Sequence, residues 1–174
     1  TITAVKQAQE FGITQAGQKL AGLLVFLSDI HGMGLPVAKG LLLTESFYWD
    51  MTDKTREWSK RLAARNSGKY PTMVHAGVYA AMIHYMKSVQ AMDKKQAKSG
   101  AAVVANMKAT PTDDALFGKG QIRIDGRHIH DMYLFQVKEP KESKGAYDYY
   151  KLVSTVPADK AFRPLADGGC SLVK

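Results

Sequence analysis

The residues best placed for chemistry are Asp29 and His31, two apart and directly after the apolar run 20–27. A carboxylate and an imidazole at that spacing can hydrogen-bond a polar solute together, or act as an acid–base pair. In open α/β folds, pockets form beyond the C-terminal ends of parallel strands. The competing reading is that Ser28 or Asp29 merely caps the next helix.

The other candidates are weaker. His128 and His130 lie two apart on an expected strand and so share a face. A zinc site needs further ligands, and no Cys pair or carboxylate stands at ligand spacing, so no metal is expected. His75 and His84 are nine apart on an expected helix and do not stack as ligands. His84 reads as structural, whereas His75, in the first turn, can face a cleft. Phe47, Tyr48 and Trp49 can stack on an aromatic or apolar ligand or close a hinge; packing is the competing reading, foremost for Trp49. Gly32-x-Gly34 lacks the third glycine of a dinucleotide fingerprint, and there is neither a P-loop nor a Gly-x-Ser-x-Gly. The single cysteine, Cys170, stands beside Gly168-Gly169 without an obvious histidine partner. No nucleophile, base and orienter assemble, so an enzyme is not the expectation and no cofactor is called for.

The 174 residues suffice for one ordinary domain with a sizeable core, and 45% hydrophobic with 23% charged residues is a globular composition. The net charge is +8, but the 24 Lys and Arg are scattered among 16 Asp and Glu. The densest basic stretch, Lys54 to Arg65, also holds Asp53 and Glu57 and reads as the solvated face of a helix. No nucleic-acid-binding motif accompanies the charge, so no nucleic-acid partner is expected. No apolar run approaches the roughly 18–20 residues that span a bilayer. Ile2, Val5, Ala8 and Phe11 have helical spacing from the first residues onward, so the chain is expected to begin inside a larger protein.

These residues need elements to position them. The run 20–27 reads as a strand buried on both faces, ending in a polar loop 28–34 that carries Asp29 and His31. A short helix around 35–38 and a second buried strand, 40–44, follow. Residues 53–66 form an amphipathic helix stopped by Asn66-Ser67-Gly68. Val74, Val78, Ala81, Met82, Tyr85, Val89 and Met92 recur at steps of three and four, a strong helical signal. A third helix carries Val103, Val104 and Met107. Asp125-Gly126 then marks a hairpin between Ile122/Ile124 and a long arm, 127–137. A further strand is expected over 149–156, with a tail beyond. The order is α/β, but the strands are too few for a complete two-sided sheet.

Taken in order, these features carry a resemblance. They are the helix from Ala4 to Gly12, the strand with Ser28-Asp29, Lys39-Gly40-Leu41-Leu42-Leu43-Thr44, Tyr79-Ala80-Ala81, and Gly118 to Gly126 before a Tyr-x-Phe strand. The chain resembles the C-terminal half of type I periplasmic solute-binding proteins of ABC transporters, in the branched-chain amino-acid (Leu/Ile/Val-binding) group. The resemblance implies portions of two three-layer αβα lobes with mainly parallel sheets, incomplete without an N-terminal half. It implies residues 1–43 in the second lobe, a hinge crossing at 44–50, 51–124 in the first lobe, and 125–174 returning to the second lobe with a tail. It further implies a small-molecule solute, a membrane permease as partner, and a periplasmic location. The chain is expected to pair with the missing half or with a swapped second copy. Residue by residue, the family's acidic contact, which commonly meets an α-ammonium group, falls on Asp29 with His31 close by. Its aromatic contact falls at Val74, flanked by Met73 and His75. That departure opens the way to a larger or aromatic solute, and Tyr48 completes the candidate set. An α/β enzyme domain using Asp29 and His31, and the ligand-sensing domain of a regulator, are the alternatives.

Overall fold

The structure, a computed structural model, describes residues 1–171 and 173. The elements in chain order are α1 (Ile2–Glu10), β1 (Ala21–Gly22), α2 (Leu27–Met33), α3 (Leu35–Ala38), β2 (Leu42–Glu45), α4 (Asp53–Arg65), α5 (Met73–Ala91), α6 (Gly100–Ala109), β3 (Thr112–Asp114), β4 (Gly118–Ile122), β5 (His128–Ile129), β6 (Met132–Val137), β7 (Tyr150–Val156) and α7 (Ala158–Ala161). They gather into two compact units. One is Thr1–Met73 with Met132–Thr155; the other is Val74–Asp131 with the segment from Val156 onward. The segment 44–50 and α4 both lie inside the first unit.

The first unit is built on a four-stranded sheet ordered β1-β2-β6-β7. β1 and β2 run parallel, and β6 lies antiparallel to β2 with Leu43 opposite Phe135 and Glu45 opposite Tyr133. Leu43, Phe135 and Val137 from the sheet, Val25, Leu27 and Ile30 from α2 and its lead-in, and Tyr48 and Tyr150 form its core. α4 starts where Thr52 accepts the amide of Thr55 and returns its own amide to the Thr55 hydroxyl, a reciprocal N-terminal cap. It buries Trp58 and Ala63, and Trp58 meets Phe47 edge to face at 5.5 Å.

The expected strand over 20–27 is corrected here. Only Ala21 and Gly22 pair, Leu23 is 95% exposed, and the helix begins at Leu27. The reason is local. Phe26 is extended and donates its amide to the Asp29 carboxylate at 2.8 Å. Leu27, Ile30 and Met33 then turn inward at helical spacing. Asp29 and His31 therefore stand on a helix, not in a loop.

In the second unit α5 buries Ala76, Ala80, His84 and Ser88. The His84 Nε2–H donates to the Met107 carbonyl at 2.9 Å, and the Asn106 amide donates to the Ser88 hydroxyl at 2.8 Å, so polar groups hold α5 to α6. The helix is where the periodicity puts it, but its apolar stripe is not its buried face. Val74, Val78, Met82, Tyr85 and Met86 are all exposed, Val78 to 61%. The buried face is the opposite one, with Ala76, Ala80, His84 and Ser88.

Strands β3, β4 and β5 form an antiparallel sheet. The turn at Asp125-Gly126 forms as expected, with Gly126 at φ 86° and its amide donating to the Arg123 carbonyl at 2.8 Å. Arg123 grips Asp125 and holds its carboxyl down at about 2. The expected long arm is split: β5 pairs with β4, while β6 joins the sheet of the first unit. The expected tail is tied down, since Arg123 donates to the Arg163 carbonyl at 3.0 Å and Phe162 meets His130 edge to face. Gly120 is required for space: a Cβ there would lie 2.5 Å from the Ile129 carbonyl and 2.9 Å from the Thr112 hydroxyl. Replacing Gly120 by alanine is therefore expected to cost about 2 kcal/mol, as overpacking against backbone does. A denaturant midpoint equal to that of the unmutated protein would refute this.

Candidate functional site

The parallel strands β1 and β2 direct the chain into α2 and into residues 46–51 respectively. Asp29, in the first turn of α2, is half-buried, and one of its oxygens caps Phe26. The capping reading is thus realised, yet a carboxylate has about four acceptor positions and keeps capacity for a solute donor. Its place in the first turn also sets its negative charge against the positive end of a helix.

His31, exposed on α2, turns its Nδ1 to the Tyr149 hydroxyl, hydrogen-bonded at 2.8 Å. Its ring stacks on Tyr147 with centroids 4.4 Å apart and planes within 12°. Tyr147 stacks in turn on Tyr70 at 5.1 Å, and Tyr70 meets Trp49 at 4.7 Å. The result is a ladder of rings on the first unit.

Tyr147 has φ 67°, a left-handed conformation costly for a bulky residue. Two donors hold it there: the Tyr48 hydroxyl and the Trp49 indole N–H reach its carbonyl at 2.7 and 2.8 Å. The Tyr48 oxygen also accepts the Tyr149 amide at 3.1 Å. Tyr48 is buried, and burial pushes its hydroxyl pKa up, which keeps the donor proton in place. Tyr48 therefore supports the ladder rather than presenting a face to solvent. Replacing it by phenylalanine would leave the Tyr147 carbonyl short of one donor and the buried Tyr149 amide unpaired. A loss of about 2 kcal/mol is expected, to be read from urea unfolding; an unchanged midpoint would contradict the assignment.

Glu45 was not singled out from the sequence, although an acid closing an apolar strand is an unusual candidate for burial. It is 1% exposed. The Tyr150 hydroxyl donates to its Oε1 at 3.1 Å, and the Met73 amide donates to the same carboxyl. Burial above all, with the charge of Asp29 as a smaller contribution, pushes its pKa up to about 8. Burial likewise raises the Tyr150 hydroxyl, reinforced by Glu45. Contacts thus link Glu45, Tyr150, Tyr48, Tyr147 and His31 in the first unit, and the charge of Asp29 reaches Glu45. Tyr70, Tyr147, Tyr149 and Tyr150 escaped sequence reading; the density of tyrosines over 147–150 was the available signal.

Met73, half-buried, is the first residue of α5 and the last of that part of the first unit; Val74 and His75 open the second unit and are exposed. In the second unit His128 and His130 lie 4.9 Å apart and His130 stacks on Phe117, while His128 pairs with the Thr112 hydroxyl at 2.9 Å. Burial first, then His130, holds the His128 pKa down. Among the described residues no group of three or more His, Cys, Asp or Glu could hold a metal ion, and no helix is long and apolar enough to cross a membrane.

Residues 1–146 match the family described as periplasmic binding protein. No curated protein sequence matches the chain. Among solved structures, a periplasmic binding protein from Burkholderia mallei is 42% identical with a TM-score of 0.89, covering 99% of this chain and 44% of its own. A branched-chain amino-acid ABC transporter periplasmic ligand-binding protein from Burkholderia xenovorans is 40% identical with a TM-score of 0.87, covering 99% and 45%. A solute-binding protein of an ABC transporter from Rhodopseudomonas palustris, in complex with 3,4-dihydroxybenzoic acid, shares the fold at 18% identity and a TM-score of 0.69, covering 88% and 41%. The chain therefore spans less than half the length of these structures.

Proposed function

Because the chain belongs to the periplasmic binding protein family, with the type I fold of ABC-transporter solute-binding proteins, we propose that it is part of the substrate-binding component of an ABC importer. It captures a small solute, such as an amino acid or an aromatic acid, by closure of two lobes, and it does not transform the solute. The observation that carries this reading is the arrangement at the ends of β1 and β2. There a half-buried acid, Asp29, stands on the same helix as His31, whose ring belongs to an aromatic ladder. An acid can take an ammonium group, and flat rings suit an apolar or aromatic body.

In this reading the first unit is part of the second lobe and the second unit part of the first. Asp29 and His31 supply polar contacts to the solute, and Tyr48 supports the ring ladder. Met73, Val74 and His75 contribute an apolar wall and a ring at the start of α5. The rest of each lobe comes from an N-terminal half, or from a second copy exchanging the same elements. The exposed apolar stripe of α5 is the surface such a partner covers. Solute bridging both lobes favours the closed state by its differential affinity, and the closed form docks on a membrane permease from the periplasmic side.

Titration calorimetry of the full-length protein with amino acids and aromatic acids tests the proposal. Micromolar or tighter binding of one class is the expected result; a folded protein that binds neither would refute it. If an amino acid binds, Asp29→Asn should weaken it by roughly tenfold to a hundredfold, the worth of one charge-assisted hydrogen bond.

A further inference from the structure

The aromatic ladder of the first unit does not end inside the core. Trp49, Tyr70 and Tyr147 are half-buried, and the last rung, His31, is exposed. The angles between rungs change along it. Trp49 meets Tyr70 at 66°, Tyr70 meets Tyr147 at 27°, and Tyr147 meets His31 at 12°. The rings become parallel toward solvent, so the ladder closes on a flat face.

Which face of His31 is open follows from its neighbours. Tyr147 covers one face at 4.4 Å. Tyr149 lies 6.0 Å from both His31 and Tyr147. A triangle with those sides sets Tyr149 beside the His31 ring, where its hydroxyl meets Nδ1 at 2.8 Å, and not over the second face. An exposed ring covered in this way shows solvent its second face and its Nε2 edge. That face is also fixed. A surface histidine ordinarily turns about two side-chain bonds, but stacking on one side and a hydrogen bond at Nδ1 hold this one in a single pose. Tyr147 beneath it is kept in its left-handed conformation by Tyr48 and Trp49. Strain held in place under an oriented, exposed ring is what a pre-built ligand surface requires. Packing alone gives no reason to fix a ring in that pose at the surface.

We infer that the second face of His31 is a shelf for a flat aromatic ring, so that the captured solute is aromatic rather than aliphatic. The inference rests on the capture reading and names its solute class. Stacked rings attract beyond the area they bury, whereas an aliphatic chain or a puckered saturated ring gains only the area. His31 is then a specificity-determining solute contact, and Tyr147, Trp49 and Tyr48 are positioning residues behind it. The shelf reads flatness and not charge: aromatic acids and aromatic amino acids share the ring it recognises.

The test is calorimetry of the full-length protein with benzoate against cyclohexanecarboxylate, with L-phenylalanine against L-cyclohexylalanine, and with L-leucine. Within each pair charge and size nearly match and flatness differs. In whichever pair binds, the flat member should bind roughly threefold to tenfold tighter. His31→Ala should erase that preference, and His31→Phe, which keeps a ring, should retain it. Proton NMR gives a second readout: the His31 ring signals, identified by their absence from the His31→Phe variant, should move upfield with the flat solute and not with its saturated counterpart. Equal affinity within a pair that binds, a preference that survives His31→Ala, or binding of L-leucine alone would each overturn the shelf while leaving solute capture standing. A folded protein that binds none of the five removes the capture reading and this inference with it.

Discussion

Glu45→Gln is expected to flatten the dependence of stability on pH across neutrality. The ordinary carboxyl value is 4.5 and the folded value about 8, raised mainly by burial. Below the first value the group is protonated in both folded and unfolded chains, and its favourable contribution is fully present. Between the two, the unfolded chain ionises and the folded one does not, so stability is lost as pH rises, levelling off above about 8. At about 1.4 kcal/mol per pH unit the loss is on the order of 5 kcal/mol. Glutamine still accepts from Tyr150 and Met73 and has no proton to lose, so its stability should not fall through that window. Urea unfolding of both proteins at pH 5, 7 and 9 measures the effect. Parallel pH profiles would show that Glu45 is not the burdened acid.

Phe135→Ala should produce a loss of similar size at every pH. Phe135 is 2% exposed, sits opposite Leu43 in the middle of the four-stranded sheet, and packs its ring against Tyr48 and Tyr150 at 5.6 and 5.5 Å. Truncation removes the transfer free energy of the ring and leaves a cavity whose walls belong to a sheet that relaxes little. The expected cost is about 4 kcal/mol. Because Tyr48 also holds the Tyr147 carbonyl, the near-ultraviolet dichroism of the tyrosines should change in the folded variant. A shift in denaturant midpoint worth less than about 1 kcal/mol would mean that the ring is not central to this core.

The parts of the fold legible in the sequence are those decided within a few residues. The helix at Asp53–Arg65 starts on a cap that Thr52 and Thr55 make between themselves and stops at Asn66-Ser67-Gly68. The short helix Leu35–Ala38 and the turn at Asp125-Gly126 are likewise local. The run 20–27 misleads because a continuous apolar stretch has no period; the bond from Phe26 to Asp29, not hydropathy, makes it turn into a helix. The stripe on α5 identifies a helix correctly but not its buried face, which is the opposite one. In the candidate site, Asp29 and His31 were legible as residues beyond a strand. The partners that give them character were not: Tyr149 lies 118 residues from His31, and Tyr150 lies 105 from Glu45. No local pattern encodes a contact at that separation.

The left-handed Tyr147 bears on how this protein can be altered. Its loop does not hold its own shape; Tyr48 and Trp49, nearly a hundred positions earlier, hold it through one carbonyl. The two segments are therefore a single inherited unit, though far apart in the chain. A designer who grafts the loop onto a related scaffold without the Tyr-Trp pair will transfer the letters and lose the geometry. Random exchange between related genes that separates the segments should yield chimaeras in which the His31 ring has lost its neighbour.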